Sequence, residues 1–276
     1  MRIVNLSPML FIAITVLTLS FSISALKRCQ NCGQIHVPYP LSTAPNCGDQ
    51  SYKIRCTAGT LFFDSINGSS YTITNINPTT QRFILHPPGL LNDMCVSADF
   101  QNEGMWLDTN SPFNITSSNT VIFLNCSQDV FTTLWNCSSS SICHKYVNDV
   151  AVDVCGARSN ASQICCTVKT GGSVTAYRIR VRKERCAAYA SFPNLDSSLP
   201  VSMWQPGVEI EWELPEEPPC NVNQDCLDLA NSSCLPNPVT GGGRRCLCNS
   251  GFHWDSVNGI CQSNARELLT TILYTY

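Results

Sequence analysis

Charge is scarce in this chain of 276 residues: Asp, Glu, Lys and Arg make up 13 %, where an ordinary globular protein has roughly 25 %. With 17 basic against 20 acidic side chains and a net charge of -3, there is no basic excess of the kind nucleic-acid binders carry, so nucleic acid is not expected as a partner. Long apolar runs are lacking as well. Met9 to Phe21 is the most apolar stretch, and its about 13 residues fall short of the roughly 20 that cross a bilayer. Histidine is sparse: His36, His86, His144 and His253 are scattered without H-E-x-x-H or G-x-S-x-G context. The carboxylates are too dispersed to nominate an acid and a base. No glycine-rich loop, catalytic-loop Asp or metal-binding Asp of a kinase is present. The expectation is a non-catalytic protein without a cofactor.

Cysteine, by contrast, is abundant. There are 18, about 6.5 % of the chain, and none precedes Cys29. At this density cysteines are paired in oxidising compartments, whereas cytosolic proteins keep them reduced or give them to metals. The amino terminus agrees with an oxidising destination. Arg2 precedes the apolar stretch, and Ser22-Ile23-Ser24-Ala25 follows it with the small-x-small shape of a signal-peptidase site. Residues 1–25 are expected to be a cleaved signal peptide, which leaves 16 basic and 20 acidic residues, a net charge of -4. Six Asn-x-Ser/Thr sequons follow, at Asn67, Asn114, Asn125, Asn136, Asn160 and Asn231. Glycan on them would keep so weakly charged a surface soluble. The tail 262–276 is too short for a span or a lipid-anchor signal. The expected location is therefore extracellular. An uncleaved amino-terminal anchor, or a chain cut short before a membrane span, would instead attach the protein to a membrane.

Along the mature chain, short β-branched and aromatic runs recur between Gly, Pro, Asn and Ser clusters. They include Gly59 to Asp64, Tyr71 to Ile76, Gln81 to Leu85 and Val121 to Leu124, the pattern of strands joined by turns. Gly172 to Arg182 and Val208 to Leu214 alternate in the same way. No long stretch keeps a 3.6-residue apolar period. The fold class expected is all-β and disulfide-rich, with a first β-rich region over 26–140 and a second over 141–215. The Pro-rich segment 216–219 reads as a linker. Beyond it six cysteines fall within residues 220–261, dense enough for cross-links to replace a hydrophobic core. The adjacent Cys165 and Cys166 are expected to bond to different partners, since neighbours rarely meet the geometry of a mutual bridge.

Cys220, Cys226, Cys234, Cys246, Cys248 and Cys261, with Gly251-Phe252 after the C-x-C pair, resemble an EGF-like domain. By spacing alone six cysteines allow 15 pairings. The resemblance implies Cys220–Cys234, Cys226–Cys246 and Cys248–Cys261. Calcium-binding members carry acidic or amide residues just before the first cysteine, because a hard cation needs converging oxygens. Here that place holds Glu216-Glu217-Pro218-Pro219, while Asn223, Gln224 and Asp225 fall in the wrong register, so no metal is expected.

The amino-terminal elements are Cys29, Cys32-Gly33, Val37-Pro38-Tyr39-Pro40, Cys47-Gly48 and Tyr52-x-Ile54-x-Cys56. They resemble the galacturonan-binding domain of plant wall-associated receptor kinases. Cys186-Ala-Ala-Tyr189-Ala-Ser191-Phe192, Trp204-x-x-Gly207 and Glu211-Trp212 are similar to the carboxy-terminal part of such ectodomains, and the EGF-like module favours the wall-associated-kinase-like branch. The resemblance implies binding of pectin, that is homogalacturonan and oligogalacturonides, outside the cell. Competing readings are a protein-interaction or decoy module for peptides or receptor ectodomains and, with nothing positive behind it, a cell-wall glycosidase.

A galacturonan binder needs spaced cations for its carboxylates and apolar faces for the sugar C–H surfaces. Candidates are Lys27, Arg28, Lys53 and Arg55 in or beside the first motif, with Tyr39 as a stacking platform or, equally, as a buried aromatic in a proline-fixed turn. A second set is Arg178, Arg180 and Arg182, which strand alternation puts on one face at about 6.6 Å intervals, followed by Lys183 and Arg185. Residues 25–215 hold 13 basic and 14 acidic side chains, so any acidic-polymer site must be a local patch.

Overall fold

The computed structural model describes residues 28–87, 90–91, 95–96, 104–128, 135–149, 164–169, 178–180, 186–238 and 242–264. The expected signal peptide, Lys27, Asn160, Arg182, Lys183, Arg185 and most of the tail lie outside them.

The strands and the α-helix among the described residues before 215 are β1 (Arg55–Thr57), β2 (Thr60–Asp64), β3 (Ser70–Asn77), β4 (Arg82–His86), β5 (Leu90–Leu91), β6 (Cys95–Val96), β7 (Gly104–Trp106), β8 (Phe113–Ile115), β9 (Asn119–Cys126), α1 (Ile142–Asp149), β10 (Ile164–Lys169), β11 (Arg178–Arg180), β12 (Cys186–Pro193) and β13 (Val208–Trp212). The strands form a six-stranded sheet in the order β1-β2-β3-β4-β13-β8, a five-stranded sheet in the order β10-β9-β12-β6-β5, and a β11-β7 ribbon. All their pairings are antiparallel. The protein is therefore all-β and disulfide-rich.

Alternation builds the core. Leu61, Phe63, Tyr71, Ile73, Phe83 and Leu85 point inward from successive strands. Phe113 packs edge-on against both Phe63 and Phe83, and Trp212 stacks on Phe83 with ring centres 5.8 Å apart. Strand β9 departs from alternation, because its residues from Asn119 to Leu124 are all buried. Val121 and Phe123 join the cluster of the six-stranded sheet, whereas Ile122 and Leu124 join Tyr146 of α1 and Trp204. A strand covered on both faces reads as a continuous apolar run. The five-stranded sheet is thus the middle of three layers.

Two sequence expectations change here. A boundary at 140 does not separate folding units: β13 inserts between β4 and β8, and β9 lies between β10 and β12, so residues 28–215 form one compact unit. The second region also contains a helix, α1. Only Cys143 and Tyr146 are fully buried on it, too short a stripe to register as an apolar period.

Cys165 and Cys166 bond to Cys143 and Cys137 respectively. Successive residues of β10 face opposite sides, so Cys165 meets α1 on one face and Cys166 meets the other. Cys126–Cys186 joins β9 to β12, and Cys29–Cys47 with Cys32–Cys56 tie the amino-terminal loop.

The described residues from Glu216 onward belong to a second unit. Strands β14 (Pro219–Cys220), β15 (Ser232–Pro236) and β16 (Arg244–Cys248) form a sheet in the order β14-β16-β15, and β17 (Phe252–Asp255) pairs with β18 (Ile260–Ser263). Its disulfides are Cys220–Cys234, Cys226–Cys246 and Cys248–Cys261. The fully buried cluster is five cysteines and Leu229, so cross-links take the place of an apolar core. Among the described residues no helix is long and apolar enough to cross a membrane.

Candidate functional site

The amino-terminal loop is held by its two disulfides and by a hydrogen-bonded knot. Ser42 Oγ donates to the Cys47 carbonyl at 2.7 Å, and Gln50 Nε2 donates to Ser42 Oγ at 2.8 Å. Gly48 has φ +61°, and a Cβ there would overlap the Leu41 carbonyl, which accounts for glycine after Cys47.

Tyr39 sits inside this loop, before a cis peptide to Pro40. It is 5 % exposed. Burial, aided by the Asp49 carboxylate, pushes its phenol well above the ordinary value. The ring is therefore buried and offers no stacking platform. Of the two roles open to Tyr39 on sequence, the structure takes the buried one.

Two cations, Lys53 just before β1 and Arg55 on it, lie at the edge of the six-stranded sheet. Arg28 and Lys53 are exposed, as is every residue of β1. Arg55 Nε and NH2 donate to the two Asp64 oxygens, each at 2.8 Å; NH2 also reaches Ser70 Oγ and NH1 reaches Thr57 Oγ1 at 3.1 Å. The guanidinium lies 4.7 Å from the Phe62 ring centre. These bonds from Arg55, with smaller help from Ser70 and Lys53, hold the Asp64 carboxyl below its usual range. Lys53 makes no hydrogen bond or ion pair among the described residues. Arg178 and Arg180 lie elsewhere, on β11 opposite Trp106 and Gly104 of β7, flanking the buried Ile179. The two cationic sets thus belong to different sheets.

A cleft of about 260 Å³ is lined by Ile35, His36, Pro38, Ile73, Thr74, Asn75, Ile76 and Pro78. A bulge shapes it. Ile73 pairs with Leu85 and Asn75 with Ile84, leaving Thr74 as the extra residue of β3. Thr74 Oγ1 donates to the Ile84 carbonyl at 3.3 Å, and His36 Nδ1 lies 3.2 Å from Asn31 Oδ1. Sequence reading singled out none of the β3 residues, because a bulge leaves no mark in the alternation; His36, inside the motif, was the available signal.

It also missed Glu209. This carboxylate is 7 % exposed. Its Oε1 accepts from Arg82 NH1 at 3.1 Å, Thr116 Oγ1 at 2.9 Å and Ser118 Oγ at 2.6 Å, and Asn119 pairs with its backbone in both directions. These bonds tie β13 to β4 and to the β8–β9 turn, a structural role.

Among the sequons, Asn125 and Asn231 are exposed with φ of 50° and 62°. Asn136 is exposed and accepts from Ser138 N and Oγ. Asn67 and Asn114 are half-buried, the latter on β8 opposite Glu211. Two groups of potential metal ligands, Cys143-His144-Cys165 and Cys220-Cys226-Cys234, come close together. Every sulfur in them is committed to a disulfide, which removes the thiolate a metal needs.

Fold and motif together define an all-β protein with a disulfide-tied amino-terminal loop and a separate three-disulfide module. Residues 29–87 match the family described as wall-associated receptor kinase galacturonan-binding. Over most of its length the chain is similar to two Arabidopsis thaliana proteins. It is 46 % identical to wall-associated receptor kinase-like 15 over 92 % of this chain and 42 % of that protein. It is 47 % identical to wall-associated receptor kinase-like 20 over 85 % of this chain and 36 % of that protein. The chain thus spans less than half the length of these curated relatives. No solved structure matches it. The resemblance to wall-associated receptor kinase-like ectodomains holds across both units, and an extracellular location fits it.

Proposed function

We propose that this chain binds the pectic polymer polygalacturonan and its oligogalacturonides without cleaving them, as the extracellular sensing part of a wall-associated receptor kinase-like protein. The observation that carries this reading is the exposed Lys53 at the edge of the six-stranded sheet, which lies within the residues matching the galacturonan-binding family. Sugar carboxylates along the polymer accept charge-assisted hydrogen bonds from Lys53 and Arg28. Arg178, Arg180 and Arg182 supply a second row. Residues 1–25 act as a signal peptide, residues 220–261 as an EGF-like spacer, and glycan at the six sequons covers the remaining surface.

Binding of purified, oxidised protein to polygalacturonate at low and at physiological salt tests this. Affinity is expected to fall as salt rises, because exposed charges are screened over about 10 Å at 0.1 M. Salt-indifferent binding, or unchanged binding after Arg28→Glu with Lys53→Glu, overturns it. A second reading, docking of a peptide or receptor ectodomain, draws on the exposed Val222, Leu227 and Leu235 of the carboxy-terminal unit. It gains if the isolated sugar fails to bind.

A further inference from the structure

We propose that the cleft between the amino-terminal loop and the β3 bulge is a separate saccharide subsite, and that it takes a methyl-esterified galacturonosyl unit rather than the free acid. The inference deepens the pectin reading above and rests on it.

The argument begins with charge. Among the described residues neither Lys nor Arg lines the cleft, and Arg28, Lys53 and Arg55 are not among its walls. A free carboxylate seated there would give up part of its water without gaining a lysine or arginine partner, which is unfavourable. Esterification removes that charge and adds a methyl group, whose burial is favourable.

The lining has the matching chemistry. Pro38 and Ile73 are buried, and Ile76 and Pro78 are half-buried, which gives an apolar floor for the sugar C–H face and the ester methyl. The rim is polar, with His36, Thr74 and Asn75 exposed. Regular alternation would send Thr74 and Asn75 to opposite faces of β3; the bulge leaves both exposed. The Asn75 carboxamide makes no hydrogen bond among the described residues. Thr74 Oγ1 keeps acceptor capacity after donating to Ile84, and His36 keeps Nε2 for a hydroxyl. At about 260 Å³ the cleft is smaller than the roughly 300–1,000 Å³ pockets that hold drug-sized ligands. That size suits one ring of a longer chain.

The test is calorimetric titration with methyl-esterified trigalacturonate and with the free acid, at two salt concentrations and at about pH 8, above the ordinary histidine range. The ester is expected to bind with little salt dependence. Asn75→Trp, which fills the cleft from an exposed position, is expected to weaken the ester by about tenfold and leave the acid nearly unchanged, the retained acid binding showing that the variant is folded. Thr74→Arg should turn the cleft toward the acid. If Asn75→Trp leaves ester binding intact, or if Lys53→Glu weakens ester and acid alike, the cleft is not the subsite. Acid binding by the wild type with no ester binding overturns the cleft proposal alone, whereas failure of both ligands overturns the pectin reading itself.

Discussion

Arg55 and Asp64 face each other across the β1–β2 hairpin as a bidentate pair, with both donor distances at 2.8 Å. Their side chains are 43 % and 51 % exposed, so the pair does little for stability. It matters for binding, because the Arg55 charge is already matched within the protein. Lys53, two residues earlier, acts on Asp64 only weakly and through space, without a hydrogen bond to it.

The prediction is an order of effects. Lys53→Glu should lower polygalacturonate affinity by about threefold or more at low salt, in line with one exposed charge contact. Arg55→Ala should lower it less, because it frees Asp64 as it removes a cation and so changes net charge without removing an available donor. Binding measured on both variants in parallel checks this; a larger loss for Arg55→Ala would mean that Asp64 releases the guanidinium to the ligand.

Glu209 makes a different kind of prediction, since its Oε1 gathers three donors in a site that is 7 % exposed. Glu209→Ala removes the shared acceptor of Arg82, Thr116 and Ser118 from a buried site, and a loss of about 2–4 kcal/mol is expected. Glu209→Gln keeps one acceptor oxygen and should lose less. Urea unfolding under non-reducing conditions distinguishes the two; equal losses would show that the carboxylate charge, and not the hydrogen bonds, sets the effect.

Much of this architecture is written locally in the chain. The runs around Phe63, Ile73, Phe83 and Phe123 announce strands, because aromatic and β-branched residues alternate between turn formers. What the chain does not announce is which strands meet. β13 reaches back to β4 across more than a hundred residues, and nothing local marks that pairing. Glu209 looked like the polar face of a strand because the β8–β9 turn that covers it lies about ninety residues earlier. For the site, the cations of β1 were legible as residue types, but the Asp64 partner depends on hairpin register. The cleft was not legible at all, since it follows from one bulged residue, Thr74.

Acid should act on the carboxy-terminal unit through Asp225. Its Oδ2 accepts from the backbone amides of Asn221 at 2.7 Å and Val222 at 3.1 Å, and these bonds hold its carboxyl below the usual range. A folded-state pKa below the unfolded one means that the contribution is present at neutral pH and is lost as pH falls through the folded value. The window therefore lies below about pH 3.9, the ordinary Asp value. The amide resonances of Asn221 and Val222, followed by NMR against pH, should shift with a midpoint under that value, and Asp225→Asn should abolish the transition. A midpoint at or above it would show that the two amides do not hold the carboxylate in solution.

The opposed bonding of Cys165 and Cys166 makes the last prediction. Because β10 sends Cys165 toward Cys143 of α1 and Cys166 toward Cys137, a non-reduced digest cut between residues 137 and 143 should keep both short fragments linked to the β10 peptide. Partial reduction should then release them independently. Cys143→Ala with Cys165→Ala frees a loop with sequence separation 22, for which chain entropy gives a loss of about 3 kcal/mol. That loss should fall first on the Tyr146–Phe192–Trp204 cluster that α1 completes, where the rings lie 5.3 to 6.2 Å apart. Near-ultraviolet circular dichroism reports those rings. If the double variant kept both its aromatic signal and its unfolding midpoint, α1 would be held by packing alone, and the disulfide would add nothing to the third layer.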